Sequence, residues 1–236
     1  MDSLRRLHKK HLLSIPFENL DIHLGRPIIL SEDAFYEKLN THIRGGFCYE
    51  LNGSFAALLK SLGFKARMLS ARVARKNGGF TPEFDHMTLL VTMKGRWLVD
   101  VGFGDSFTEP KRLDYSGPQT DNGRAYRITR RAGGRLLSRW DREKNLWEPQ
   151  YKFSLRPRKL GDFVRRCRWH QTSLNSHFRK GRVCTQLTQN GRITLTDRKL
   201  IVTRGSKRIE RPVRNRMEFN RLLQKHFGIN LSRGEK

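Results

Sequence analysis

The 236-residue chain predicts an α+β protein, because three patterns follow one another along it. Apolar residues at helical spacing fill the first third, strand-like runs follow from Lys65, and an amphipathic helix closes the chain. Residues 4–13 form the first amphipathic pattern. Ser31 can cap a second helix that runs through Phe35 and Leu39 to about Asn40. A third carries Leu51, Phe55, Leu58, Leu59 and Leu62 at spacings of three and four, and stops at Gly63. Strands are predicted at 66–73, then in the runs led by His86 and closed by Asp100, with Lys94-Gly95 as the tight turn between those two. Further strands are predicted at 126–129, 151–155, 183–187, 193–196 and 200–203. The polar segment 111–145, with Gly133-Gly134, reads as a loop-rich excursion. A last helix is predicted at 216–226, with Asn215 and Glu218 as a capping box and Gly228 at its end.

Composition narrows the function classes. Hydrophobic content of 36%, with 14 Phe and 4 Trp, fits a folded protein. No run approaches the roughly 20 apolar residues of a membrane helix, and the N-terminal segment is a poor signal peptide. Three scattered cysteines argue against a disulfide framework, so a reducing, cytoplasmic setting is expected. None of them has metal-ligand spacing, and no metal is expected. The net charge of +26 is uneven: residues 1–110 hold 15 Lys+Arg and 12 Asp+Glu, and residues 111–236 hold the remaining 33 and 10. Such a field can draw in an anionic substrate, contact a polyanion, or merely solvate the surface. Arginine runs such as Arg130-Arg131 and Arg165-Arg166 do not alternate with aromatics, and no nucleic-acid motif appears, which argues against a dedicated nucleic-acid role.

The chemistry concentrates at Cys48. In Arg44-Gly45-Gly46-Phe47-Cys48-Tyr49-Glu50-Leu51-Asn52, two glycines deliver a cysteine to the first turn of a helix. Unpaired N–H groups and the helix dipole there favour thiolate, the nucleophilic form. The competing reading is a small buried hydrophobe. A nucleophile needs a base and a group that orients it. His86 heads one strand and Asp100 ends the next, so an antiparallel hairpin places imidazole and carboxylate side by side. That joint placement favours the catalytic reading.

On these residues the chain resembles the arylamine N-acetyltransferases. The matching segments are Ile15-Pro16-Phe17-Glu18-Asn19-Leu20, the Cys48 run, Asp85-His86 and Val99-Asp100-Val101-Gly102-Phe103-Gly104. Cys167-Arg168-Trp169-His170-Gln171-Thr172, Ser176-His177-Phe178 and Gly191-Arg192-Ile193-Thr194-Leu195 match more loosely. The resemblance implies an N-terminal helical bundle (1–64), a central β-barrel (65–160) and a C-terminal α/β lid with a final helix (161–236), around a cysteine-protease-like catalytic core. Only 14 residues precede Ile15, fewer than members usually carry, which implies a shortened or missing first helix.

By resemblance, Cys48 accepts acetyl from acetyl-CoA, His86 is its base and Asp100 orients His86. Transfer is ping-pong, to an arylamine, arylhydrazine or hydrazine. Phe47, Phe103 and Phe107 are the candidates for the acceptor cleft, each with an ordinary core role as its alternative. Thr81, Ser176 and Phe178 are the candidates for coenzyme A. Arg44 is expected to brace the glycine turn, and Glu18 and Asn19 to act as supports. Two other readings stay open: a transglutaminase-like or amide-cleaving cysteine enzyme, separated by its acyl donor, and a basic nucleic-acid-binding protein, separated by salt-dependent binding with an inert Cys48.

Overall fold

A computed structural model describes residues 1–231. The helical third contains α1 (Asp2–Ser14), the short strand β1 (Phe17–Glu18), α2 (Leu20–Leu24), α3 (Glu32–Tyr36) with a π-helical continuation (Glu37–Thr41), and α4 (Cys48–Ser61). A 13-residue helix stands at the front, so the first helix is not missing. It buries Leu4, His8 and His11, one stripe at spacings of four and three. Ser31 caps α3 as expected, its Oγ accepting from the Ala34 N–H at 3.2 Å.

Strands β2 (Lys65–Val73), β3 (His86–Thr92), β4 (Arg96–Val99), β5 (Lys111–Arg112), β6 (Gln119–Asp121), β7 (Arg124–Arg131), β8 (Gly134–Asp141) and β9 (Leu146–Arg158) follow. They form a nearly closed, barrel-like antiparallel sheet in the order β5-β4-β3-β2-β9-β8-β7-β6. The expectation of a loop-rich excursion over 111–145 is thus corrected: most of it is β5 to β8. Polar content misled because Tyr126 and Ile128 face the core while Arg127, Thr129 and Arg131 alternate outward.

The last third holds α5 (Val164–Thr172), β10 (Val183–Thr188), β11 (Gly191–Thr196), β12 (Lys199–Arg204), β13 (Lys207–Pro212) and α6 (Arg216–Phe227). The five-stranded sheet runs β1-β10-β11-β12-β13, so residues 17–18 from the helical third supply its first strand. Phe219, Leu222 and Leu223 of α6 pack on Leu195 and Leu200 of this sheet. Asn215 caps α6 through the Glu218 N–H, and Gly228 ends it at φ 68°. Among the described residues no helix is long and apolar enough to cross a membrane.

One core group makes the fold pH-dependent. His11 lies against the edge of Phe55, with ring centroids 5.1 Å apart. Burial first, and neighbouring His8 second, hold its pKa down to about 3. An unfolded imidazole titrates near 6.5, so below that pH the unfolded chain takes a proton that the folded one refuses. The His11 contribution to stability is therefore fully present above about pH 6.5 and is lost as pH drops toward 3. His11→Leu should spare the protein about 3 kcal/mol of the loss between pH 7 and pH 4, at ~1.36 kcal/mol per unit. Urea midpoints at the two pH values would show it; parallel losses in both proteins would refute it.

Candidate active site

The turn before Cys48 is built by close approach. A Cβ on Gly45 would fall 2.0 Å from the Pro16 carbonyl oxygen, so only glycine lets the turn lie against β1. There the Glu18 N–H donates to the Gly46 carbonyl at 2.9 Å. Below the turn lies a largely buried charge network that lines a surface cavity. Glu18 accepts from Arg44 Nη2 at 2.7 Å and from Nε at 3.0 Å, and Arg44 also donates to Asp21 at 2.9 Å. Lys38 Nζ sits 2.6 Å from both Asp21 and Glu50. Glu50 in turn accepts from the Phe47 N–H at 3.0 Å, fixing the entrance to α4. Asn19 holds the opposite side, donating to the Phe178 and Gly181 carbonyls and accepting from the Val183 N–H. Arg44, Glu18 and Asn19 are thus placed as braces. Arg44→Met would leave Glu18 and Asp21 buried without their guanidinium, at a cost of about 3–5 kcal/mol. Chemical denaturation would measure it, and a loss under about 1 kcal/mol would refute the assignment.

Cys48 is the first residue of α4 and only 3% exposed. Burial pushes its thiol well up, and the Asp85 and Asp100 carboxylates add to this, while the Met87 N–H at the sulfur acts the other way. The sequence argument that the helix start favours thiolate is therefore outweighed by desolvation. A thiolate here needs a base to remove the proton.

That base stands on the hairpin. β3 and β4 pair with Leu89 opposite Val99, a register that brings the start of β3 beside the residues after β4. His86 Nε2 donates to Asp100 Oδ2 at 2.7 Å. Asp100 receives three more donors: Tyr151 O–H at 2.8 Å on the same oxygen, and Asn52 Nδ2 at 2.9 Å and the Gly102 N–H at 3.0 Å on the other. Burial raises the Asp100 pKa, but His86 and these hydrogen bonds outweigh it and hold the carboxyl below its ordinary range. The backbone of Asp100 is also fixed. Burial lowers the pKa of His8, whose Nδ1 lies 2.9 Å from the Thr108 carbonyl oxygen and whose Nε2 lies 3.0 Å from the Asp100 carbonyl oxygen and 3.3 Å from the Asp100 N–H. A Cβ on Gly102 would lie 2.8 Å from Cys48 Cα, so the loop after β4 touches the start of α4.

Sequence reasoning missed His8, Asn52 and Tyr151. Asn52 carried a signal: it lies one turn from Cys48 on the same helix face. Tyr151 and His8 carried none, since each reaches Asp100 from a distant part of the chain. A further pair was missed at Asp85, beside His86. Asp85 accepts from Arg166 Nε at 2.6 Å and lies 3.1 Å from His170 Nε2. Burial raises its pKa, yet these two partners from α5 hold it well below the ordinary range.

The other predicted residues do not converge on one spot. Phe103 is half-buried and packs edge-on to His86, with centroids 5.1 Å apart. Phe47 is fully buried against Tyr49 and Phe178. Phe107 is a barrel-core ring stacked on His8 at 5.7 Å. Thr81 Oγ1 accepts from the Val73 N–H at 2.8 Å and so braces its own loop. Ser176 is buried and caps the turn at Phe178, whose half-buried ring meets Phe17 and His170.

The chain and its fold are similar to known proteins. The family pattern described as N-acetyltransferase matches residues 1–235. The arylamine N-acetyltransferase of Escherichia coli is 38% identical over 84% of this chain and 70% of its own length. The arylamine N-acetyltransferase / N-hydroxyarylamine O-acetyltransferase of Salmonella typhimurium is 35% identical over 98% and 83%. The structure of the Mycobacterium marinum arylamine N-acetyltransferase in complex with CoA superposes with a TM-score of 0.91 at 32% identity, covering 100% of this chain and 89% of that one. The chain belongs to the arylamine N-acetyltransferase family, and so to the acyltransferases.

Proposed function

We propose that the protein moves an acetyl group from acetyl-CoA to an arylamine, arylhydrazine or hydrazine through acetyl-Cys48. The observation that carries the proposal is His86 held at 2.7 Å by a sealed carboxylate, on a loop that touches the start of the Cys48 helix. Because Nε2–H is committed to Asp100, Nδ1 is the nitrogen left to exchange protons. His86 takes the Cys48 proton, and the sulfur attacks the thioester carbonyl carbon. First-turn N–H groups stabilise the oxyanion, the bond to the coenzyme A sulfur breaks, and that sulfur leaves with the proton from His86. The amine then attacks the acetyl-cysteine, and its proton returns to Cys48 through His86. Asp100 holds the imidazole and favours its charged form at each step.

The relative solved with CoA supports this donor. The positive field of residues 111–236 raises the local concentration of its phosphates. Three free cysteines fit a reducing, cytoplasmic compartment. The test is intact mass and peptide mapping after mixing with acetyl-CoA alone. One acetyl on Cys48, lost when an arylamine or hydrazine is added, is the expected result. A folded sample that stays unlabelled, or is labelled elsewhere, overturns the proposal.

A further inference from the structure

Strand pairing places arginines and aromatics together in a way that the linear sequence does not. Arg127, Thr129 and Arg131 share one face of β7, and their partners on β8 are Ser138, Leu136 and Gly134. Lys152 of β9 stands opposite Leu136, and Trp140, two residues beyond Ser138, stands opposite Trp147. The opposite face of these strands carries Tyr126, Ile128, Leu137, Tyr151 and Phe153, the barrel core. The arginine and tryptophan face is therefore the outer wall. The two indoles meet edge to face with centroids 5.3 Å apart, and the Arg127 guanidinium lies 4.4 Å over Trp147. Both indoles and Lys152 are partly exposed, and Arg131 is exposed.

The bland explanation is a cross-strand pair that staples the β8–β9 hairpin. A staple accounts for the indoles but not for the charge. None of the positions named on this face is Asp or Glu, and the chain around it carries the +26 excess. The edge strand β13 is as basic, with Lys207, Arg208 and Arg211 exposed, yet its six residues include no aromatic. Cations beside indole rings match phosphates alternating with flat bases. In a duplex the bases are already stacked, so only a single strand can use the rings.

We infer that the outer face of β7, β8 and β9 binds single-stranded nucleic acid, with phosphates on Arg127, Arg131 and Lys152 and a base against the tryptophans. This stands independently of the acetyl-transfer reading.

The probe is a labelled oligouridine of about 12 nucleotides, followed by fluorescence anisotropy with the full chain over a salt series. The double variant Arg131→Gln/Lys152→Gln should weaken binding about tenfold. It should also lower the slope of log K against log salt by about 1.4, at ~0.7 per phosphate for single strands. Trp140→Leu should weaken binding about fivefold or more with the slope unchanged. Lys207→Gln/Arg208→Gln removes the same charge from β13 and should change affinity less than threefold. Thermal melts confirm folding, and the charge variants decide the matter should Trp140→Leu unfold. Equal losses in the two double variants, tighter binding to a duplex of the same length, stronger binding to phosphatidylglycerol vesicles, or no binding at about 50 mM salt would each overturn the inference.

Discussion

Cys48→Ala should abolish acetyl transfer, by about four orders of magnitude or more, while Cys167→Ala and Cys184→Ala retain most of it. Acidity does not separate the three thiols. Burial pushes Cys48 and Cys184 well up and Cys167 up to about 12. What separates them is surroundings. Cys167 lies in the helical core, with Gln171 Nε2 3.3 Å from its sulfur. Cys184 lies under α6 in the core of the five-stranded sheet. Cys48 alone of the three touches the loop that carries Asp100, and it stands beside Met87, the residue after His86. Steady-state transfer rates with near-ultraviolet circular dichroism as a folding check decide this. Loss of activity in a folded Cys167→Ala or Cys184→Ala protein would count against Cys48 as the nucleophile.

Asp100→Asn should reduce transfer by roughly 10⁴-fold, the scale seen when an orienting carboxylate becomes an amide in a triad. The cause here is donor crowding. Four donors meet the two Asp100 oxygens, two on each. An amide must put its NH₂ on one side. Toward Asn52 and Gly102 it would face two N–H groups. Toward His86 it would donate to Nε2, forcing the proton onto Nδ1 and disabling the base. The single-turnover rate of Cys48 acetylation measures the effect directly. A folded Asp100→Asn enzyme within tenfold of the parent would remove Asp100 from the mechanism.

The parts of the site legible in the sequence were those written locally. A glycine turn before an apolar helix marked Cys48, and a hairpin turn at Lys94-Gly95 set His86 against Asp100. What closes the site was not local. Tyr151 and His8 reach Asp100 across 51 and 92 residues, and neither sits in a pattern that announces the contact. The barrel strands between 111 and 141 were hidden for a different reason. A strand with one wet face can carry arginine at every second position, so average polarity reads as loop while alternation reads as sheet. Phe107 shows the limit of proximity in sequence: a few residues from the Asp100 loop, it turns into the barrel core instead.

The spread of ligands around Asp100 also bears on how the protein is made. Residues 52, 86, 102 and 151 all have to arrive before the carboxylate is saturated, and His8 before its backbone is held. A nascent chain that has just released Asp100 from the ribosome already owns its cysteine, histidine and aspartate, but lacks β9 and therefore Tyr151. Long-range closures of this kind form late, because their loop entropy is met before their contacts are gained. The hydrogen-bond set around Asp100 is thus complete only once β9 has been synthesised.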